Sequence, residues 1–198
     1  ERIALTKAIQ AAIEAGRPLI DEMKHDLLVT LPASPIFVDG DLTRLSQVFL
    51  NLLNNASKYT RPGGRILLRA EQEGSDVGVS VRDTGIGIPT DKLDSIFEMF
   101  SQIEGALSRS QGGLGIGLSL VRRLVDLHGG HVEAFSDGPG TGSEFRVRLP
   151  IAANVEAAPP RVDKIEQPTA MNLRILVVDD NRDATTTLSA LLKIMGNS

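Results

Sequence analysis

The sequence predicts an α/β fold, a two-layer sandwich whose mixed, mostly antiparallel sheet carries helices on one face. Three observations predict it. Stretches with helical apolar spacing alternate with pairs of short runs in which apolar and polar residues take turns. The runs pair into hairpins across polar or Gly-rich turns. The second hairpin follows a helix that stops at Gly129-Gly130, a left-handed cap signal.

Taken in order, apolar residues recur at helical spacing from Ala4 to Met23, with Gly16 to Pro18 as the expected weak point. Asp26 to Leu31 and Pro35 to Val38 read as short strands. Asp41 is placed to cap a helix that runs to about Tyr59 and ends at Thr60 and Arg-Pro-Gly-Gly. On that helix Leu42, Leu45, Val48, Leu52, Ala56 and Tyr59 form the core-facing side. Arg65 to Ala70 and Val77 to Arg82 make one hairpin. A helix then runs from the glycine stretch to about His128, and His131 to Ser136 and Ser143 to Leu149 make the second hairpin around Gly-Pro-Gly-Thr-Gly.

At 198 residues, 41% of them hydrophobic, the chain has material for one full domain and part of a second. Its 21 Lys and Arg face 25 Asp and Glu, a net charge of −4, so neither a nucleic-acid footprint nor a polybasic membrane patch is present. Cysteine is absent, which excludes disulfides and thiolate metal sites. Apolar runs such as Ile175 to Val178 are too short to span a bilayer, and a cytoplasmic setting without direct membrane contact is expected. The chain starts at Glu1 without methionine and is expected to be a piece of something longer. Residues 1–151 are expected to form the main domain and 152–170 a linker rich in Pro and Ala. Residues 171–198 are expected to hold a buried strand, Leu-Arg-Ile-Leu-Val-Val, that ends in Asp179 and Asp180 and leads into a helix.

Three segments carry chemistry. In Asn-Leu-Leu-Asn-Asn-Ala-Ser-Lys-Tyr-Thr, residues Asn51, Asn55 and Lys58 stand at i, i+4 and i+7 and share one helical face. Such a face is either plainly solvated, or its amide oxygens ligate Mg²⁺ while Lys58 meets a phosphate. In Val-Arg-Asp-Thr-Gly-Ile-Gly-Ile-Pro, Asp83 closes a strand ahead of Gly85 and Gly87. It is either a turn cap or an acceptor for an exocyclic amine such as that of adenine, with the glycines letting a flat ligand lie on the main chain. In Gly-Gly-Leu-Gly-Ile-Gly-Leu, residues Gly112, Gly113, Gly115 and Gly117 crowd the start of a helix, at a cost of about 1 kcal/mol each relative to alanine. Besides a hinge, the reading is that bare N–H groups and the helix dipole approach an anion, a triphosphate above all.

Together these residues resemble the nucleotide boxes of bacterial sensor histidine kinases. Asn51 to Thr60 resembles the N box, Asp83 to Pro89 the first glycine box, Phe97 to Phe100 the F box, Gly112 to Leu118 the second glycine box and Gly140 to Phe145 the last glycine segment. The resemblance implies the fold shared with DNA gyrase, heat-shock chaperone and mismatch-repair ATPases. It implies that Asn55, helped by Asn51, coordinates Mg²⁺ and that Lys58 contacts phosphate. Asp83 would read the adenine amine, Gly85 and Gly87 would support the base, and Gly113, Gly115 and Gly117 would anchor phosphate. The matched boxes also bring Tyr59, Ile88, Phe97, Phe100, Leu118 and Thr141 to ATP, with Phe97 to Gln111 as a lid whose Arg109 touches a phosphate. Leu114 stands where the family often has threonine, and its role there is carried by main chain.

Leu-Arg-Ile-Leu-Val-Val-Asp-Asp-Asn resembles the first strand of a receiver domain, with Asp179 and Asp180 as its Mg²⁺ pair, which implies a hybrid kinase as the parent. The implied partners are ATP, a histidine-bearing dimerisation domain of the same protein and a receiver domain or response regulator. His25 mimics a phosphoacceptor motif, but Pro32 comes two places late and strand-forming residues follow it. His128 and His131 read as structural, so the acceptor histidine is expected outside this chain, as is the phosphorylatable aspartate of the receiver. A self-contained ATPase of the same fold would need a glutamate on the Asp41 helix, and Asp41 to Tyr59 holds none. A nucleotide-binding scaffold without turnover is the other alternative.

Overall fold

Alternation along the strands decides which way the sheet faces. In the computed structural model, which describes residues 1–99 and 116–152, the main sheet has five strands in the order β2 (Asp26–Thr30), β4 (Arg65–Glu73), β5 (Asp76–Asp83), β7 (Glu144–Pro150), β6 (His131–Phe135). Only β2 and β4 run parallel; every other neighbouring pair is antiparallel. Odd and even positions separate cleanly on β5 and β7. Val77, Val79, Val81, Phe145, Val147 and Leu149 point into the core, whereas Arg82 and Arg148 stay exposed on the opposite face. That opposite face is laced by exposed ion pairs such as Arg69–Glu71 at 2.6 Å and Arg65–Asp26 at 3.2 Å, which keep it soluble and add little stability.

Three helices cover the apolar face: α1 (Leu5–Glu22), α2 (Leu42–Tyr59) and α3 (Gly117–Leu127). Helix α2 is central, packed on α1, on α3 and on β4 and β5. Leu45, Val48, Phe49, Leu52 and Leu53 are all fully buried along it, an apolar stripe wider than the sequence reading allowed because it meets helices as well as the sheet. Two single-turn 3₁₀ segments, Thr90–Lys92 and Ser95–Phe97, follow β5.

Some expectations need correction. Helix α1 runs unbroken through Gly16 to Pro18. Gly16 is buried where α1 crosses α2, 3.5 Å from Leu50 at the position a Cβ would take, so packing outweighs the missing side chain and the missing Pro18 N–H. A second, two-stranded sheet, which the sequence reading did not include, pairs β1 (Arg2–Ala4) with β3 (Phe37–Asp39). Ile151 bridges to Val38 on that strand and the Ala152 N–H donates to the Phe37 carbonyl at 2.8 Å, so β3 gathers both ends of the described unit. Tyr59 is not core-facing; it is 37% exposed at the end of α2. The positions of Phe100, Arg109, Gly112, Gly113, Leu114, Gly115, Asp179 and Asp180 lie outside the described residues, as does the segment from residue 153 onward.

The start of α2 is fastened twice. The Asp41 carboxylate accepts from Arg44 N–H at 3.0 Å, capping the helix as expected, and the Asp41 N–H donates to His128 Nε2 at 3.1 Å. His128 Nδ1 in turn donates to the Leu124 carbonyl at 2.7 Å, so this histidine joins the end of α3 to the start of α2. The Arg44 N–H holds the Asp41 carboxyl below its ordinary value of 3.8, with the Thr43 N–H, Arg44 and His128 adding to an effect that partial burial opposes. A carboxyl depressed in the folded state contributes stability that is complete above its ordinary value and is lost as the pH falls through the folded value. Thermal melts between about pH 5 and pH 2 are therefore expected to show a steeper loss of Tm for the natural chain than for Asp41→Asn, which keeps a capping oxygen but does not titrate.

Candidate nucleotide site

Helix α2 ends against the loop that follows β5, and a cleft opens there. Asn55 and Tyr59, one turn apart on α2, form one wall. Asp83 at the end of β5 and Ile86, Gly87 and Ile88 beyond it form the floor; Ile96, Leu118, Ser143 and Phe145 close the rest. Residues about 90 positions apart in sequence thus meet around one space. Most of the lining is apolar, with a few polar groups that converge.

Asp83 is the most constrained of these. It is 3% exposed, and each of its oxygens is held: Oδ1 accepts the Gly85 N–H at 2.7 Å and Oδ2 accepts the Ser143 hydroxyl at 2.5 Å. A carboxylate has about four acceptor sites, so capacity remains for a donor entering from the cleft. The turn-cap reading holds, and the same carboxylate also faces the cleft.

The glycines make room for protein main chain. A Cβ on Gly85 would run into the Tyr59 carbonyl oxygen, and Gly87, at φ +71°, would run into the carbonyl of Gly138. At both positions the direction a side chain would take is filled by protein main chain. Hydrogen bonds confirm the crossing: Ile86 N–H donates to the Tyr59 carbonyl at 3.0 Å and Gly140 N–H to the Ile86 carbonyl at 2.6 Å. The loop is thereby clamped between the end of α2 and the β6–β7 turn.

Of the sequence-predicted residues, Asn55, Tyr59, Asp83, Gly87, Ile88 and Leu118 meet at the cleft. Gly85 lies directly behind Asp83. Asn51 sits one turn before Asn55, its Nδ2 donating to the Gln47 carbonyl at 2.9 Å and its Oδ1 3.5 Å from the position of a Gly117 Cβ, so it faces the start of α3. Lys58 is half-buried and makes no ion pair among the described residues, and it is not part of the cleft wall. Two assignments move. Phe97 is 8% exposed and stacks edge-on against Phe145 at 6.2 Å with the Arg122 guanidinium 6.0 Å over its ring, so it backs the wall and Ile96 lines it. The Thr141 hydroxyl donates to the Gly138 carbonyl at 2.7 Å within its own turn, and the residue lines a separate depression; Ser143 lines the cleft instead.

Ile86, Ile96, Ser143 and Phe145 went unread as site residues. Ser143 had a signal, because alternation places it on the same side as Phe145, and the β5–β7 register sets Val81 opposite Phe145 and hence Asp83 opposite Ser143. As for a metal, the described residues hold no cluster of three or more His, Cys, Asp or Glu suited to one. A single amide oxygen in the cleft, from Asn55, with Asn51 one turn behind, fits a hard cation that arrives carried by phosphates rather than a resident ion. His25 is 8% exposed and His131 begins β6, neither in the cleft.

Comparison with known proteins places this geometry. Residues 40–153 match the family model described as histidine kinase-, DNA gyrase B-, and HSP90-like ATPase. The circadian input-output histidine kinase CikA of Synechococcus elongatus is 38% identical over 79% of this chain and 20% of its own length. The autoinducer 2 sensor kinase/phosphatase LuxQ of Vibrio harveyi is 36% identical over 89% of this chain and 22% of its own length. The chain thus spans about a fifth of the curated relatives it matches. Among solved structures, the mycobacterial sensor histidine kinase MprB superposes with a TM-score of 0.69 at 31% identity, covering 76% of this chain and 98% of that one. The catalytic domain of histidine kinase ThkA superposes at 0.66 and 28%, covering 76% of this chain and 96% of that one. A cleft built from an amide-bearing helix, a buried aspartate and a glycine-clamped loop, on a fold matched this closely, means that the chain belongs to the histidine kinase-, DNA gyrase B- and HSP90-like ATPase family, as a catalytic ATPase domain of the histidine kinase kind.

Proposed function

We propose that the cleft holds Mg-ATP and that, in the intact protein, the domain presents the γ-phosphate to a histidine on a separate helical dimerisation domain, as in two-component signalling. The observation that carries this is Asp83, buried, acceptor-only and clamped from two sides with capacity left toward the cleft. That arrangement suits the exocyclic amine of adenine and disfavours the carbonyl that guanine has at the same position. Tyr59, Ile86, Ile88, Ile96 and Phe145 supply the apolar walls a purine needs. Support also comes from the ShkA histidine kinase, whose full-length structure in complex with AMPPNP superposes on this chain with a TM-score of 0.66 at 28% identity, covering 39% of that protein.

The residues would divide the work by position. Asp83 and the walls orient the base, so that the phosphates run toward the start of α3 at Gly117; main-chain N–H groups of Gly113, Gly115 and Gly117 would meet them there, as the resemblance to the second glycine box implies. Asn55, helped by Asn51, holds the magnesium ion that would enter with ATP, and Lys58 and Arg109 meet phosphate oxygens. The bound ion would neutralise charge on the phosphates during transfer. Transfer needs little covalent chemistry from the protein: the imidazole nitrogen of the acceptor attacks the γ-phosphorus and ADP leaves. No described histidine takes the acceptor role. His128 is engaged at both ring nitrogens, His25 is buried, and His131 lies on a strand outside the cleft.

In the same reading residues 1–151 are the catalytic and ATP-binding domain, 152–170 a linker, and 171–198 the beginning of a receiver domain with Asp179 and Asp180 as part of its Mg²⁺ site. The partners are the histidine-bearing domain of the same protein and a receiver or response regulator. No described helix is long and apolar enough to cross a membrane, and the proposed place of work is the cytoplasm, where ATP is available.

Three outcomes test the proposal. Asp83→Asn swaps one acceptor oxygen for a donor and is expected to weaken ATP binding roughly 10- to 100-fold by calorimetry, with a smaller effect on a nucleotide that lacks the amine; unchanged affinity would remove Asp83 from its role. Ser143→Ala, which frees one carboxylate oxygen at the cleft wall, is expected to weaken ATP roughly 3- to 10-fold. With radiolabelled ATP the chain alone should form no phosphohistidine, and adding a separate helical domain bearing an acceptor histidine should produce it on that domain.

A further inference from the structure

The loop that floors the cleft is held by the turn between β6 and β7, through bonds spaced along its length. The Asp83 N–H donates to the Ser143 carbonyl at 2.8 Å, and the Gly140 N–H donates to the Ile86 carbonyl at 2.6 Å. The Ile88 N–H donates to the Ser136 hydroxyl oxygen at 3.0 Å. The first two bonds run from main chain to main chain. The third depends on one side chain, half-buried just past the end of β6. That hydroxyl is used to capacity, since a serine oxygen offers one proton and two lone pairs. It accepts the Gly138 N–H at 3.3 Å besides that of Ile88, and donates to the Gly142 carbonyl at 2.7 Å. Ser136 thus braces its own turn and grips the loop with the same atom.

We propose that Ser136 is a positioning residue for the nucleotide base, acting through Ile88; the inference rests on the proposed ATP reading of the cleft. Ser136 is not itself part of the cleft wall, whereas Ile88 is. Ile88 is 6% exposed, so its N–H, once parted from Ser136, would be a buried donor without a partner. Pro89 follows and has no N–H to offer. The chain then passes through the two 3₁₀ segments to Ile96, another wall residue. The hydroxyl of Ser136 therefore fixes the apolar wall where the chain leaves the floor of the cleft. Asp83 is held independently, by the Gly85 N–H and the Ser143 hydroxyl. The work divides accordingly: Asp83 selects the amine, and Ser136 sets how closely the wall at Ile88 meets the ring.

The test titrates the natural 198-residue chain and Ser136→Ala with ATP and with purine riboside triphosphate, which lacks the amine, at a temperature where both chains are folded. Ser136→Ala is expected to weaken both nucleotides by the same factor, roughly 3- to 10-fold, because the wall meets any purine ring. Ser136→Cys, whose thiol is a weaker donor and acceptor, is expected to fall between the two chains, and it carries the test if the alanine variant does not fold. Without nucleotide, hydrogen exchange at the Ile88 amide is expected to be roughly tenfold faster in the variant. A hydroxyl that only stabilised the fold would lower Tm and leave the affinities alone. Unchanged affinity in a folded variant, or unchanged exchange at Ile88, overturns the role. So does a loss confined to ATP, which would mean that Asp83 had moved instead. Failure of the natural chain to bind ATP at all overturns the ATP reading itself, and the role with it.

Discussion

The structure turns on one buried carboxylate. Asp83 can sit at the end of β5 with 3% exposure only because a backbone N–H from its own loop and the hydroxyl of Ser143, just ahead of β7, meet its two oxygens. An unpaired carboxylate at that depth would either be expelled to water or take up a proton, and a protonated group no longer offers the same acceptor to an incoming amine. The β5–β7 register, the tight turn at Gly85 and the crossing of the β6–β7 turn over Gly87 are all conditions for that arrangement. They are also what gives the cleft its floor.

Helix α2 carries the second constraint. One side of it is an apolar stripe buried against α1, α3 and the sheet, and the other bears Asn51, Asn55 and Tyr59 toward the cleft and the start of α3. Neither side can rotate without pulling the other out of place. Its two ends are tied by different means, at the start by Asp41 and His128 and at the finish by the Tyr59 carbonyl in the grip of Ile86. The amide face is therefore positioned by the core behind it, which is why poor helix formers are tolerated there.

Much of this was legible in the sequence because it is local. The cap at Asp41, the end of α2 near Thr60, the left-handed stop at Gly129 with φ +69° and the alternation of both hairpins are properties of a few adjacent residues, and the structure shows each of them. The grouping of Asn55, Asp83 and Leu118 at one cleft was also anticipated, from the order of the boxes and their resemblance to a known family. The stripe of buried residues on α2 was read too narrowly, since a periodicity shows which side is apolar but not how many neighbours surround it.

What only the tertiary structure decided depends on which distant segments touch. Gly16 and Pro18 look like a helix break until α2 is seen packed across them. The need for glycine at 85 and 87 shows only once the Tyr59 and Gly138 carbonyls are seen where a side chain would stand. Ser143 rather than Thr141 reaches the cleft because strand pairing puts it opposite Asp83, and Phe97 turns into the core because Phe145 and Arg122 receive it. The sequence by itself determined the elements, the faces they show and the chemistry available on each, because dihedral preference and periodicity act over a few residues. Long-range contact settled the roles of individual side chains, because a glycine, a hydroxyl or a ring takes its function from whatever atom lies against it.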